Sequence, residues 1–347
     1  MPLESGQEAG RFRKNQEFTL TMEDLSEDGA GVGRLDGYIW FVKDAVIGDV
    51  VRARAMKMKK NYGFARCGGL LAPWPGRGGP AGRVGHPCGG CQRQAMGAGG
   101  QLRFKERKSI NNLVRIGGFK EEELPMLPII GMEHPWRYRN KAQFPFGRDK
   151  DGNIIAGFYA GRTHRIVPCE DCLLGVEENR RVLEISKDFM NRYQISSYDE
   201  ESHTGLVRHA LIRKGFKTGQ LMVCLIINGR SLPHSDVLAK RLRDVEGMTS
   251  ISLSINQERT NVIMGKEIVN LWGPGYIEDF ICGVRYQLSP LSFYPFSPVH
   301  TYQLYVYALS FSLLSFFLFF LFLYFCFRLF SPFLSLIALS FRCLFLL

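Results

Sequence analysis

Two Cys-x-x-Cys pairs carry the first chemistry legible in this 347-residue chain: Cys88 and Cys91 in HPCGGCQRQ, and Cys169 and Cys172 in HRIVPCEDCLLG. One such pair can share a metal ion, exchange electrons as a disulfide, or merely turn a corner. Two pairs point to a metal, because four soft thiolates can complete a tetrahedral zinc site or bind an iron–sulfur cluster. The plainer alternative is two unrelated pairs of free thiols. The nine cysteines are odd in number, and the polar start MPLESGQEAGRFRKNQEF has no secretory pattern. Both features favour a reducing cytoplasm, with thiolates as ligands, over a disulfide framework. Cys224, in LMVCLII, reads as a small buried hydrophobe, while Cys326 and Cys343 lie in a Phe/Leu run with nothing to activate them.

A second chemistry is electrostatic. The net charge is +11, and residues 301–347 supply only Arg328 and Arg342 and no acid, so the excess sits in the first 300 residues. That field suits a phosphate-bearing partner such as RNA, although charge of this size also serves simple solubility. Arg34, Lys59, Lys60 and Tyr62 offer cations that can track a backbone beside an aromatic platform. Arg137, Arg139, Asn140 and Lys141 form a second basic group, suited to positioning phosphates more than to reading bases.

The elements that must position these groups follow from periodicity and punctuation. Residues 1–15 are polar and read as a flexible N-terminus. Residues 16–67 are short alternating runs broken by Gly and Asp, which indicate an OB-like all-β barrel of about five strands. Gly29, Gly31 and Gly33 are read as lying between strands and opening no helix, which argues against a dinucleotide loop. Residues 68–87 form an irregular Gly/Pro-rich linker. Residues 88–294 read as a central α+β domain. It starts with a basic amphipathic helix in QLRFKERKSINNLVRIGGF, and RNKAQFPFG and NIIAGFYAG make a hairpin around RDKDGN. GVEENRRVLEISKDFMNRY and HSDVLAKRLRDVEGM read as helices, and VRHALIRKG, GQLMVCLIIN and TSISLSINQ as strands. Asp149, Asp151 and Asn153 imitate a calcium loop, but Ile154 and Ala160 stand where Gly and Glu are needed. Residues 295–347 are a hydrophobic tail without charge from Thr301 to Phe327, long enough to span a bilayer. Their Phe/Leu/Ser composition equally fits a shifted reading frame, and it does not describe a packed soluble domain.

Several segments in fixed order resemble the 23S rRNA (uracil-5-)-methyltransferases. EDLSEDGAGVGRLDGYIWFV, GDVV and KKNYGFAR are similar to that family's TRAM barrel, and CGGCQRQ and HRIVPCEDC to its cluster motifs. WRYRNKAQFPFG, GFYAGRTH, GLVRHALIRKG and ERTNVIMG are similar to its central domain. The resemblance implies a [4Fe-4S] cluster with Cys88, Cys91 and Cys172 as ligands. Gly82 stands where a further ligand cysteine is expected, and Cys169 is a neighbouring thiol able to substitute. It also implies S-adenosylmethionine as methyl donor, a cysteine thiolate attacking C6 of uracil, and a base removing the C5 proton. Ser289, Pro290, Ser292, Phe293 and Tyr294 match the start of the family's methyltransferase domain. Pro295 then replaces a Gln expected to touch the donor, Phe296 and Ser297 replace Val-Asn, and His300 replaces another Gln. No catalytic or donor-binding residue is assigned from the sequence.

The expected architecture is therefore multidomain: a TRAM-type barrel, an α+β domain, and a hydrophobic tail in place of a Rossmann-like methyltransferase domain. The expected function is binding of 23S-type ribosomal RNA with little or no methyl transfer, by a cytoplasmic monomer with no protein partner implied. The rival expectation is a non-enzymatic RNA-binding or metal-binding protein, tethered to a membrane through residues 301–327.

Overall fold

A computed structural model describes residues 12–78, 88–91, 93–161, 163–169 and 171–329. Gly82 and the tail beyond Leu329 lie outside the described residues. The N-terminal strands are β1 (Glu17–Thr21), β2 (Asp24–Leu25), β3 (Gly31–Leu35), β4 (Tyr38–Lys43), β5 (Val50–Met58) and β6 (Tyr62–Ala72). They form one sheet in the order β1-β5-β6-β4-β3-β2. Strict alternation decides which side is core: Tyr38, Trp40 and Val42 on β4 face inward with Val51, Ala53 and Ala55 on β5, and Phe12 packs against them. Trp40 is fully buried, with Phe12, Phe18 and Tyr38 around its ring.

The sheet curls until its ends meet. The Met22 N–H donates to the Asp49 carbonyl, and the Glu23 N–H donates to Val32 on β3. Gly31 and Gly33 stand within β3 rather than between strands, and both sit where the closing chain passes close by. A Cβ on Gly33 would sit 2.4 Å from the Thr21 carbonyl oxygen, and one on Gly31 would sit 2.5 Å from the Met22 sulfur. Glycine here is a device for close backbone approach. The sixth strand continues to Ala72, into the segment read as linker.

Buried Asp49 pins the exit from this unit. Its carboxylate accepts the Val46 and Trp74 N–H groups and pairs with Arg77. Leu25, Val46, Met96 and Phe104 then join the barrel to helix α1 (Ala98–Arg115), which matches the basic helix read from sequence.

The second sheet contains β7 (Lys141–Arg148), β8 (Ile154–Tyr159), β9 (Ile166–Pro168), β10 (Val207–Lys214), β11 (Leu221–Ile227), β12 (Met248–Ile255) and β13 (Glu267–Trp272). Its order is β13-β12-β11-β10-β7-β8-β9. Only β11 and β12 run parallel among these pairs, and α3 (Ser235–Leu242) makes the crossover between them. Helix α2 (Glu178–Arg192) lies with α3 on one face of the sheet. Val182, Ile185, Phe189, Leu238 and Leu242 meet Phe144, Phe146, Val223 and Leu253 there in the main core. This mixed layer agrees with the α+β reading, and the hairpin, both helices and three internal strands fall where periodicity places them.

A hairpin of β14 (Ile277–Ile281) and β15 (Val284–Leu288) closes over Met222 with Tyr294. The chain then enters helix α4 (Pro298–Leu329), whose described side chains beyond the first turns face outward. The tail does not begin at residue 295 as a separate unit. The Asn140 amide donates to the Pro295 carbonyl at 2.8 Å, and the Asn140 N–H donates to Phe296 at 3.1 Å, so this segment is knitted into the sheet.

Candidate nucleic-acid interface

The alternation that buries Trp40 turns its neighbours outward. On β4 these are Ile39, Phe41 and Lys43, and on β6 they are Tyr62, Phe64 and Arg66. The β4–β6 register sets Ile39 opposite Tyr62, Phe41 opposite Phe64, and Lys43 opposite Arg66. Phe41 and Phe64 stack with ring centroids 5.5 Å apart and planes 30° apart. Tyr62 meets each of them edge-on at 5.7 Å. Tyr62 is 39% exposed and Phe64 41% exposed, large values for rings within a sheet. Arg34 lies across from Ile39 on β3, and Lys57 across from Phe64 on β5.

Of the residues singled out from sequence, Arg34, Lys59, Lys60 and Tyr62 are all exposed here. Lys59 and Lys60 occupy the β5–β6 turn, which the Tyr38 hydroxyl anchors at the Lys59 and Tyr62 carbonyls, 2.7 and 2.5 Å away. Phe41 and Phe64 were missed. Their signal lies in YIWFVK, where Trp40 and Phe41 are adjacent and must face opposite sides, but only the β4–β6 pairing shows which side is core.

A cleft of about 750 Å³ runs from this face to the first thiol pair. Phe41, Lys43, Lys57 and Phe64 line one wall, and Cys88, Gly89 and Cys91 line the other. Cys88 is set by a bridge to Ala160, and the Gly89 N–H donates to Tyr159.

The second thiol pair is organised by Arg137, held at φ 55°. Its guanidinium takes both oxygens of Asp171, at 2.6 and 2.7 Å, and donates to the Cys172 and Gly175 carbonyls at 3.0 and 3.1 Å. The Asp171 carboxyl is held below its ordinary range by that bidentate contact. Buried Cys169 shares a thiol hydrogen bond with Cys172, which holds the Cys169 proton on and draws Cys172 below the usual thiol range. Burial pushes Cys91 up, and the nearby Cys172 and Cys88 add to the shift. The four thiols thus lie within electrostatic reach of one another.

The cluster expectation is nonetheless not supported. Among the described residues no group of three or more His, Cys, Asp or Glu is arranged to hold a metal ion. No chemistry is derived through a cluster at Cys88, Cys91, Cys169 and Cys172.

The second basic group is largely committed within the fold. Arg137 serves Asp171, buried Asn140 serves Pro295, and Arg139 lies over the Phe296 ring at 4.9 Å. Lys141 is half-buried, and desolvation with the neighbouring Arg213 charge lowers its pKa. Arg213 itself is buried and donates to the carbonyls of Ser289 and Ser292, at 3.0 and 2.8 Å.

Residues 11–67 match the TRAM domain. The chain is 42% identical over 300 residues to an uncharacterized RNA methyltransferase of Halalkalibacterium halodurans, covering 86% of this chain and 65% of that one. It is 36% identical to one from Clostridium tetani over 301 residues, with 86% and 65% of the two chains covered. To one from Listeria monocytogenes it is 38% identical over 302 residues, with 87% and 66% covered. The chain thus spans about 65% of the length of these relatives. In fold it is similar to the crystal structure of Pyrococcus abyssi tRNA (uracil-54, C5)-methyltransferase in complex with S-adenosyl-L-homocysteine. That match has a TM-score of 0.62 and 23% identity, and covers 82% of this chain and 63% of that one.

These matches overturn the expectation of a tail standing in place of a methyltransferase domain. Likeness to RNA methyltransferases runs through 86% of the chain by sequence, and the fold match covers 82% of it. The N-terminal barrel matches the TRAM domain, and the chain is similar to bacterial RNA methyltransferases.

Proposed function

We propose that this chain acts in the methylation of RNA at C5 of a uridine, with S-adenosylmethionine as donor. The observation that carries the reading is the 42% identity to an RNA methyltransferase over 300 residues, beside a TRAM match over the barrel that bears the exposed cationic and aromatic face. RNA is the partner that such a face suits, because cations meet phosphates while exposed rings meet bases. The motifs quoted from the sequence favour a 23S-type ribosomal RNA target over transfer RNA.

The donor supplies an electrophilic methyl group. Ser289 to Tyr294 is the segment the resemblance places at the start of the donor-binding region, and Arg213 fixes that turn by two carbonyls. Pro295 has no side-chain amide, and its carbonyl is taken by Asn140, so this position does not fit the donor contact that the resemblance expects. No step is derived through the donor there. What the chain's own residues supply is placement. Arg34, Lys59 and Lys60 hold phosphates at one end of the barrel face, and the cleft leads the strand toward Gly89.

The test is transfer of radiolabelled methyl from S-adenosylmethionine by the purified chain to 23S rRNA and to tRNA transcripts, with uridine C5 identified by mass spectrometry. Label on the ribosomal transcript is expected. Label confined to tRNA would move the target, and none above background on either RNA would sink the reading.

A further inference from the structure

We infer that Phe41, Tyr62 and Phe64 form a stacking platform for unpaired nucleobases of an RNA strand, with Lys43, Lys57 and Arg66 tracking that strand's backbone along the cleft toward Gly89. The inference rests on the RNA reading above and specifies which part of an RNA the barrel takes.

Three observations carry it. The barrel core is complete without these rings, since Trp40 with Phe12, Phe18, Tyr38 and the β5 alanines fills the interior. Phe41, Tyr62 and Phe64 therefore do no packing that closure requires, yet they form a contiguous triad on the outer face. The two Phe planes, 30° apart, present a broad π surface of the kind a base can cover. A duplex leaves few base faces free, so such a surface selects single-stranded segments.

The third observation is electrostatic. Lys43 on β4, Arg66 on β6 and Arg54 on β5 stand directly across from one another in the two registers. Like charges opposite each other weaken a sheet. Of these only Arg54 is relieved by an adjacent acid, Glu17, at 2.6 Å, among the ion pairs of the described residues. A row that costs stability and flanks an aromatic triad fits a polyanion better than an apolar protein partner. Lys43 and Lys57 also reach the cleft, which continues the same path past Gly89 and Cys91.

The experiment is fluorescence anisotropy of the full chain with a short uridine-rich single-stranded RNA and with a duplex of matching length, each over a salt series. Phe41→Ala and Phe64→Ala are expected to weaken single-strand binding about tenfold or more, with little change for duplex and with the slope against salt retained. Lys43→Ala and Arg66→Ala are expected to lower that slope by about one each. Phe64→Leu keeps apolar volume without a π face and should lose affinity as Phe64→Ala does, whereas Phe64→Trp should restore it. Wild-type affinity in the Phe variants would overturn the platform while leaving RNA binding intact, and would give this face to a protein partner. Equal losses on single strand and duplex, or rescue by Leu, would also overturn it. No binding of either RNA at low salt would remove the functional reading together with the platform.

Discussion

His209 shows what burial does to one residue. Its ring, on β10, is 3% exposed, and neither nitrogen has a hydrogen-bond partner. Desolvation, reinforced by the adjacent Arg208 charge, lowers its pKa to about 4. Tyr159 packs edge-on at 6.3 Å, and burial with the neighbouring Glu200 pushes that phenol up to about 12, so no anionic partner offsets the shift. Between pH 6.5 and 4 the unfolded chain binds a proton at this residue that the folded chain refuses. Stability from this source is therefore complete above about pH 6.5 and declines as the pH falls toward 4, by about 3 kcal/mol. Urea melts at pH 7 and pH 4.5 should show the loss, and His209→Phe should reduce it. Paired carboxylates such as Asp171 titrate at lower pH and in both proteins, so the difference between wild type and variant isolates the histidine. A variant that loses as much as wild type would refute the assignment. The thiols teach a different lesson at this scale. Their type and spacing were plain in the sequence, but the coupling that raises the Cys169 thiol and lowers Cys172 depends on side-chain placement that spacing does not specify.

Closure of the barrel is decided by one strand. Gly33 on β3 faces the Thr21 carbonyl so closely that any Cβ would displace backbone, which a flexible side chain could not absorb. Gly33→Ala is expected to destabilise the barrel by about 1–3 kcal/mol through overpacking. Near-UV circular dichroism of the buried Trp40 environment during a thermal melt would report it. An unchanged melt would mean that β1 and β3 are not held together as described. Gly37 is a useful contrast: at φ +81° with nothing within 4 Å, it resists substitution through backbone strain rather than through contact. The elements read correctly have strong period, although β14, which alternates as clearly, was missed. In α2 the buried positions Val182, Ile185 and Phe189 recur at helical spacing, and in β4 the alternation is unbroken. β13 and β15 were missed because half-exposed strands carry no clear alternation: their residues are mostly intermediate or exposed from end to end. β9 was missed because three residues are too few to show a period.

At the scale of the whole molecule, α4 stands apart. Residues Pro298–Phe322 form a helix long and apolar enough to cross a membrane, and its described side chains beyond the first turns are not covered by the rest of the chain. A helix apolar all round has no preferred face to offer a core, so its packing cannot be read from its pattern. A chain ending after Thr301 should unfold at the same urea concentration as the full chain, within about 0.5 kcal/mol, because so little of the helix is buried. The full chain should float with phosphatidylcholine vesicles in a density gradient, and the shortened one should stay below. A shortened chain that unfolds markedly earlier would show that α4 supports the core.

From the residues alone came the N-terminal β-barrel, the α+β layer, the basic excess and the identity of the thiols, because alternation, helical period, charge and type are local properties of a chain. The fold was needed for the rest. Which aromatic on β4 faces water depends on β6 lying beside it, and whether Arg137 and Asn140 meet a partner or hold Asp171 and Pro295 depends on segments far apart in sequence. Those are long-range pairings, set by register and packing, which no local pattern records.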